Sequence, residues 1–315
     1  MASDSSRLLD RATLPPTTAT RHDSKAEPHI LEDQDSREFF ESHRKRRLDT
    51  HPEDHREINR PPMLPTPSTS HVNYEHVYEP AEDSFLLLDT ISSPSESDFL
   101  KSRFPPDSPS PLVLEIGTGS GVVLAFVTAQ TKHIFGRSDV LTLGCDVNPY
   151  ACMAATDTVN LAIKEAPVRA ESAGFAGVVY GDLTTSFRPH SIDVLIFNPP
   201  YVPTEVLPNG QNNDEFADRD DFKTSEEFER NSYLLALSYA GGHDGMEITN
   251  RLLEQLSWSL SNRGAAYLLL CHQNRPEDVK ARIRTWPGGW EAETVRSSGR
   301  QAGWEKLSIL RIWRR

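Results

Sequence analysis

Between Glu82 and Trp313 short apolar runs alternate with longer stretches of helical periodicity, and this alternation restricts the fold more than any other feature of the chain. A strand that is apolar along its whole length is buried on both faces, and parallel strands need helices to cross between them. The pattern therefore predicts a mostly parallel sheet with helices on both sides. Expected strands are Leu112 to Ile116, Val140 to Cys145, Gly177 to Tyr180, Ile192 to Phe197, Ala265 to Cys271, a weaker one at Trp290 to Val295, and Lys306 to Trp313. Expected helices are Glu82 to Ile91, Gly121 to Thr131, Pro149 to Ile163, Ser225 to Tyr239, Met246 to Leu260 and Pro276 to Thr285. Together they fit one α/β, doubly wound, Rossmann-like domain of about 240 residues.

Residues 1–70 do not share this pattern. They hold 13 acids, 11 Lys or Arg and eight prolines, with few large apolar residues. Such a segment cannot bury enough surface to offset its ordering entropy, so a disordered extension is expected, with one short helix at Ser36 to Leu48. Its basic cluster Arg44, Lys45, Arg46, Arg47 reads as a solvated patch or a nuclear-import signal. A second departure is an insertion from Glu205 to about Ala240. Within it, residues 214–229 carry eight acids against Arg219 and Lys223. That stretch is expected to attract a basic protein surface.

The net charge of −13 argues against stable nucleic-acid binding. No run is long and apolar enough for a membrane span, and no secretory signal is evident. The three cysteines, Cys145, Cys152 and Cys271, form no metal or disulfide pattern and read as buried free thiols of a protein expected in the cytoplasm, with the nucleus as the alternative.

The first strand runs into a glycine turn, PLVLEIGTGSGVV from Pro111 to Val123. Gly117, Gly119 and Gly121 let the backbone turn sharply and approach a ligand beside a helix N-terminus. The spacing is not that of a pyrophosphate cradle. Glu115 at the strand end would oppose a diphosphate but suits a cationic amino-acid group. The next strand ends in Asp146, placed to accept both hydroxyls of a ribose, while Asn148 before Pro149 reads as a helix cap. Asp182 closes the third strand and could either make a turn or accept from an adenine amino group. Three acids at three successive strand ends, with the turn Gly117, Thr118, Gly119 at the first, describe an S-adenosylmethionine pocket.

After the fourth strand comes Asn198-Pro199-Pro200-Tyr201. Two prolines fix the backbone and remove two amide donors. The Asn198 side-chain carbonyl and the Pro199 main-chain carbonyl can then hold the two hydrogens of a planar NH2 group, with the Tyr201 ring on its face. Catalysis would rest on orientation and fixed dipoles, with no general base.

On these residues the chain resembles the HemK-like glutamine methyltransferases of the class I methyltransferase fold. It is most similar to the eukaryotic branch that methylates the GGQ glutamine of the class I translation-termination factor. The likeness covers residues 74–315. It rests on YEPAEDSFLLLD from Tyr78 to Asp89, LEIGTGSGVV, FNPPYVPT, and a closing block SGRQAGWEKLSILRI with Arg300, Ala302, Gly303, Glu305 and Leu307. The resemblance implies a seven-stranded sheet whose last strand is antiparallel. It implies that Ser84, with Glu115 and Gly117, holds the methionine end of the cofactor, that Asp146 binds the ribose, that Asp182 and the Leu183 backbone hold the adenine, and that Asn198 lies between cofactor and substrate amide. It further implies a small zinc-binding activator subunit that covers an apolar surface, in a heterodimer. Acceptors that share the NPPY motif or are proposed for relatives, adenine N6 in DNA and lysine on a histone, stand as alternatives, as does a catalytically silent scaffold.

Overall fold

The computed structural model describes residues 64–166, 174–208, 225–298 and 306–315, the helix turn at 225–229 by its backbone alone. The expectations for residues 1–63, for the acids at 214–224 and for Arg300, Ala302, Gly303 and Glu305 lie outside the described residues. Leu64–Arg315 form one unit by their contacts. Within it Leu64 already packs against the core.

The seven strands are β1 (Leu112–Ile116), β2 (Leu141–Asp146), β3 (Gly174–Tyr180), β4 (Ile192–Phe197), β5 (Leu260–Cys271), β6 (Trp290–Ser297) and β7 (Leu307–Arg314). Their order across the sheet is β3-β2-β1-β4-β5-β7-β6. All pairings among β1 to β5 are parallel, and β7 runs antiparallel to both β5 and β6. The helices are α1 (Glu82–Ile91), α2 (Pro94–Arg103), α3 (Val122–Ala129), α4 (Thr131–Phe135), α5 (Pro149–Glu165), α6 (Ser225–Tyr239), α7 (Glu247–Ser259) and α8 (Pro276–Arg284).

Strand β4, IDVLIF, is buried at every position, as a central parallel strand requires. Its residues alternate between two cores. Val194 and Ile196 join Val113 of β1 under Leu87, Leu88 and Ile91 of α1. Leu195 and Phe197 join Leu114 and Ile116 under Leu252, Leu253 and Leu256 of α7. Helices thus cover both faces. β3 closes one edge, and none of its residues is fully buried.

Two expected elements differ. The stretch Gly121 to Thr131 is α3 alone, followed by the separate turn α4, which ends at left-handed Gly136. Helix α2, PSESDFLKSR, was not expected, because only Phe99 and Leu100 are apolar. It is held by tertiary contacts: Ser97 Oγ donates to the His133 carbonyl at 2.7 Å. Glu96, 3% exposed, takes Arg311 Nη1 at 2.8 and 2.9 Å and the Tyr267 hydroxyl at 2.8 Å.

The strand order reverses between β1 and β4, which opens a crevice at their carboxyl ends. The register pairs Ile116 with Phe197 there. Gly117 and Asn198, the next residue on each strand, therefore meet at the mouth of that crevice.

Candidate active site

Gly117, Gly119 and Gly121 all have positive φ, at 64°, 50° and 78°. Their duties differ. A Cβ on Gly121 would lie 2.4 Å from the Ala155 Cα, so this glycine lets α3 start against α5. A Cβ on Gly119 would meet nothing within 4 Å, so the outer face of the turn is open to a ligand. Thr118 turns inward: its hydroxyl donates to Asp146 Oδ2 at 3.4 Å and its methyl sits over Gly144. Its share in a cofactor site would come from its backbone.

The three strand-end acids are not equivalent. Asp146 is buried and already braced, accepting from Gly119 N at 3.0 Å on Oδ2 and from Asn148 N at 2.8 Å on Oδ1. Burial nevertheless raises its pKa, outweighing those hydrogen bonds. Glu115 is buried with Oε2 lacking any partner among the described residues. Burial, and secondarily the Asp146 charge, push its carboxyl well above the usual range, against one backbone hydrogen bond from Leu124. A carboxylate in that position needs a cation to complete it. Asp182 is half exposed and forms an ion pair with Arg251 of α7. One turn further along α7, Gln255 Oε1 accepts from Thr184 N at 3.0 Å and Thr184 Oγ1 at 2.6 Å. Between them Leu183 sits in the left-handed region, φ 52°, a strained conformation for a branched residue.

Asn198 carries the acceptor side of the crevice. Its Nδ2 donates to Asp83 Oδ2 at 3.0 Å, and its Oδ1 is buried without a partner among the described residues. No hydrogen bond to the Pro199 carbonyl is found among the described residues. Pro199 is buried, whereas Pro200 and Tyr201 are partly so, the Tyr201 ring packing against the core beneath α1. The loop Gly241 to Gly245 supports the motif from behind. A Cβ on Gly245 would lie 2.0 Å from the Tyr201 carbonyl, and one on Gly241 2.5 Å from that of Pro200. Asn274, 2% exposed, fastens the two together by donating from Nδ2 to the carbonyls of Tyr201 and Asp244, each at 3.0 Å.

The segment before β1 closes the crevice. Asn148 caps α5 through Tyr150 N at 2.9 Å, as expected, and its Nδ2 also donates to the His76 carbonyl at 2.7 Å. Ser84 donates its hydroxyl to Asp83 Oδ1 at 3.2 Å. With its proton so placed, Ser84 offers an approaching ligand only acceptor lone pairs, which suit an ammonium group.

Of the expected residues, Glu115, Gly117, Gly119, Asp146 and Asn198 come together at the strand ends, with Ser84 joined to Asn198 through Asp83. Asp182 and Leu183 lie on the neighbouring turn. Asn274, Arg251 and the Gly241 to Gly245 loop carry no motif that marks them, although the run GGHDG does announce a tight turn, and Asp83, inside the block from Tyr78 to Asp89, carries no expected role there. The cysteines take no part: burial lifts Cys145 to about 12 and Cys152 to about 11, so both thiols stay protonated at neutral pH. Among the described residues no cluster of His, Cys, Asp or Glu forms a metal site, and no helix is long and apolar enough to cross a membrane.

A seven-stranded sheet with this order and one reversed strand, a glycine turn after β1, acids at successive strand tips and an Asn-Pro-Pro-Tyr segment after β4 define a class I methyltransferase. The chain is 33% identical over 256 residues to the eRF1 methyltransferase catalytic subunit mtq2 of Schizosaccharomyces pombe, covering 80% of this chain and 96% of that one. It is 32% identical to methyltransferase HEMK2 of Mus musculus, covering 80% and 97%, and 30% identical to that of Homo sapiens, covering 78% and 95%. No family model matches the chain. It belongs to the mtq2 and HEMK2 family of S-adenosylmethionine-dependent methyltransferases.

Proposed function

We propose that the chain is a protein-glutamine N5-methyltransferase whose substrate is the GGQ glutamine of the class I translation-termination factor. One observation carries this reading: the buried Oδ1 of Asn198, which has no partner among the described residues and is held at the mouth of the crevice. A primary amide brings two N–H donors in one plane, and this oxygen takes one of them. The name of the fission-yeast relative, an eRF1 methyltransferase, supports the same substrate.

The residues fit S-adenosylmethionine. Glu115 and Ser84 would take the ammonium group, Asp146 the ribose, and Asp182 with Leu183 the adenine, while open Gly119 admits close approach of the backbone. The cofactor supplies an electrophilic methyl group on a sulfonium. Asn198 orients the amide nitrogen, and its fixed dipole favours the geometry that nitrogen adopts as it loses planarity. No side chain need remove a proton before transfer.

A small zinc-binding activator as partner belongs to this reading. Among the described residues no strand pairs with the outer side of β3, and at this edge Leu141, Met153 and Tyr180 are 43, 58 and 61% exposed. An apolar edge of this kind calls for a cover. A cytoplasmic location, with nuclear entry through Arg44 to Arg47, is part of the proposal.

The test is co-expression with the activator and transfer of labelled methyl to the termination factor, to its GGR version, to histone and to DNA. Label confined to the intact GGQ factor is expected. Equal labelling of the GGR version would overturn the glutamine assignment, and labelling of DNA or histone alone would replace it.

A further inference from the structure

We propose that Asp83 is a positioning residue that fixes the polarity of the acceptor pocket by deciding which end of the Asn198 amide faces it. The inference rests on the Asn198 clamp proposed above. Asp83 lies in the first turn of α1 and is 3% exposed. Its Oδ1 accepts from Ser84 N at 2.6 Å and Ser84 Oγ at 3.2 Å; its Oδ2 accepts from the Tyr78 hydroxyl at 3.1 Å and Asn198 Nδ2 at 3.0 Å. Four donors converge on one buried carboxylate.

An asparagine side chain is nearly symmetric in shape, and packing alone does not tell its oxygen from its nitrogen. A carboxylate that already takes four donors does, because it only accepts. With Asp83 on one side, the amide must offer its NH2 there and send Oδ1 the other way, where that atom is buried and has no partner among the described residues. The reversed amide would set oxygen against carboxylate oxygen and point an NH2 into the pocket, against the NH2 of the substrate. Both changes are unfavourable. Asp83 thereby selects acceptors that donate hydrogens. Its bearing on the acceptor runs through Asn198, separately from its hold on the Ser84 hydroxyl. The Tyr78 hydroxyl on the same oxygen keeps the carboxylate turned toward Asn198.

The test is a double-mutant cycle on the full chain, followed by single-turnover methyl transfer to the termination factor. The variants are Asp83→Ala, Asp83→Asn, Asn198→Ala and Asp83→Ala with Asn198→Ala, each with its melting temperature and cofactor Kd. Loss of a hydrogen bond to a charged group is expected to slow transfer by about tenfold or more in Asp83→Ala. Transfer is read at saturating cofactor, because Asp83→Ala also frees the Ser84 hydroxyl and raises the cofactor Kd in both backgrounds. In the Asn198→Ala background the Asp83 change should slow transfer no further, because its target is gone. Asp83→Asn keeps the shape, and its NH2 can pair with a reversed Asn198, so it should slow transfer too; it decides the matter if Asp83→Ala does not fold.

Equal slowing by Asp83→Ala in both backgrounds would mean that Asp83 acts on the fold and would remove the lock while leaving the clamp. Wild-type turnover by Asp83→Asn would do the same. Near-normal transfer by Asn198→Ala would end the clamp reading and this inference with it.

Discussion

Glu115 and Asp146 stand at the tips of adjacent strands, both buried, yet Asp146 has both oxygens engaged by hydrogen bonds while Glu115 keeps one oxygen with no partner among the described residues. The difference separates them: Asp146 braces the glycine turn and keeps a lone pair on Oδ1 for the ribose of the proposed site, whereas Glu115 lacks a cation.

The first prediction concerns pH. Because burial raises the Glu115 pKa, the folded chain binds a proton that the unfolded chain has released, and stability without cofactor should fall as pH rises from the ordinary carboxylate range through the raised value. A bound ammonium favours the charged form, so cofactor affinity should rise with pH over the same window and binding should release a proton. Glu115→Gln should melt higher at neutral pH without cofactor, bind cofactor about tenfold or more weakly, and lose the larger part of the pH dependence, keeping the part that Asp146 carries. Calorimetry in buffers of different ionisation enthalpy reads all three. Unchanged affinity in Glu115→Gln would remove Glu115 from the cofactor site.

Asn198→Ala should keep cofactor affinity and slow methyl transfer by about 10²-fold or more, the scale for removing one oriented dipole from a transition state. Isothermal titration with single-turnover labelling separates the two effects.

The glycines of the turn should respond differently. Gly119→Ala meets open space and carries only the left-handed backbone cost of about 1–2 kcal/mol, so the protein should fold and lose cofactor affinity. Gly121→Ala adds a collision with the Ala155 backbone and should lower the melting temperature much further. Thermal melts of both variants, with and without cofactor, test the contrast.

Glu96→Ala takes away the partner of Arg311 Nη1 and of the Tyr267 hydroxyl in the core, while Arg311 Nη2 keeps Glu293. Breaking a buried ion pair costs roughly 3–5 kcal/mol, and with the second carboxylate retained the loss should fall at the lower end of that range in urea denaturation at neutral pH. Cofactor affinity of the folded fraction should be unaffected, since the cluster joins α2 to β5 and β7, with β4 between them and the strand that carries the glycine turn.

Strands β1 and β4 were legible to the residue because a short, mainly apolar run stopped by Gly117 or by Asn198-Pro199 has few other readings, and their tips carry Glu115 and Asn198. Helix α2 was hidden by its polar sequence; its stability comes from Glu96 and Ser97 partners far along the chain. Asp182 looked like Glu115 and Asp146 in sequence, but its pairing with Arg251 of α7 is invisible to local pattern. Asp83 lies 115 residues before Asn198, and beside Glu82 in a first helical turn it reads as ordinary dipole complementation. Only the fold shows that it faces the Asn198 amide.

The segment that precedes the first strand, from His76 to Asp83, is outside the sheet yet touches both Asn148 and Asn198. The residues that reach the proposed site therefore begin some 35 residues ahead of the sheet, counted from His76 to Leu112. Grafting this sheet and its glycine turn onto another chain would move the cofactor shelf alone. The preference for what is methylated would stay behind with the arm.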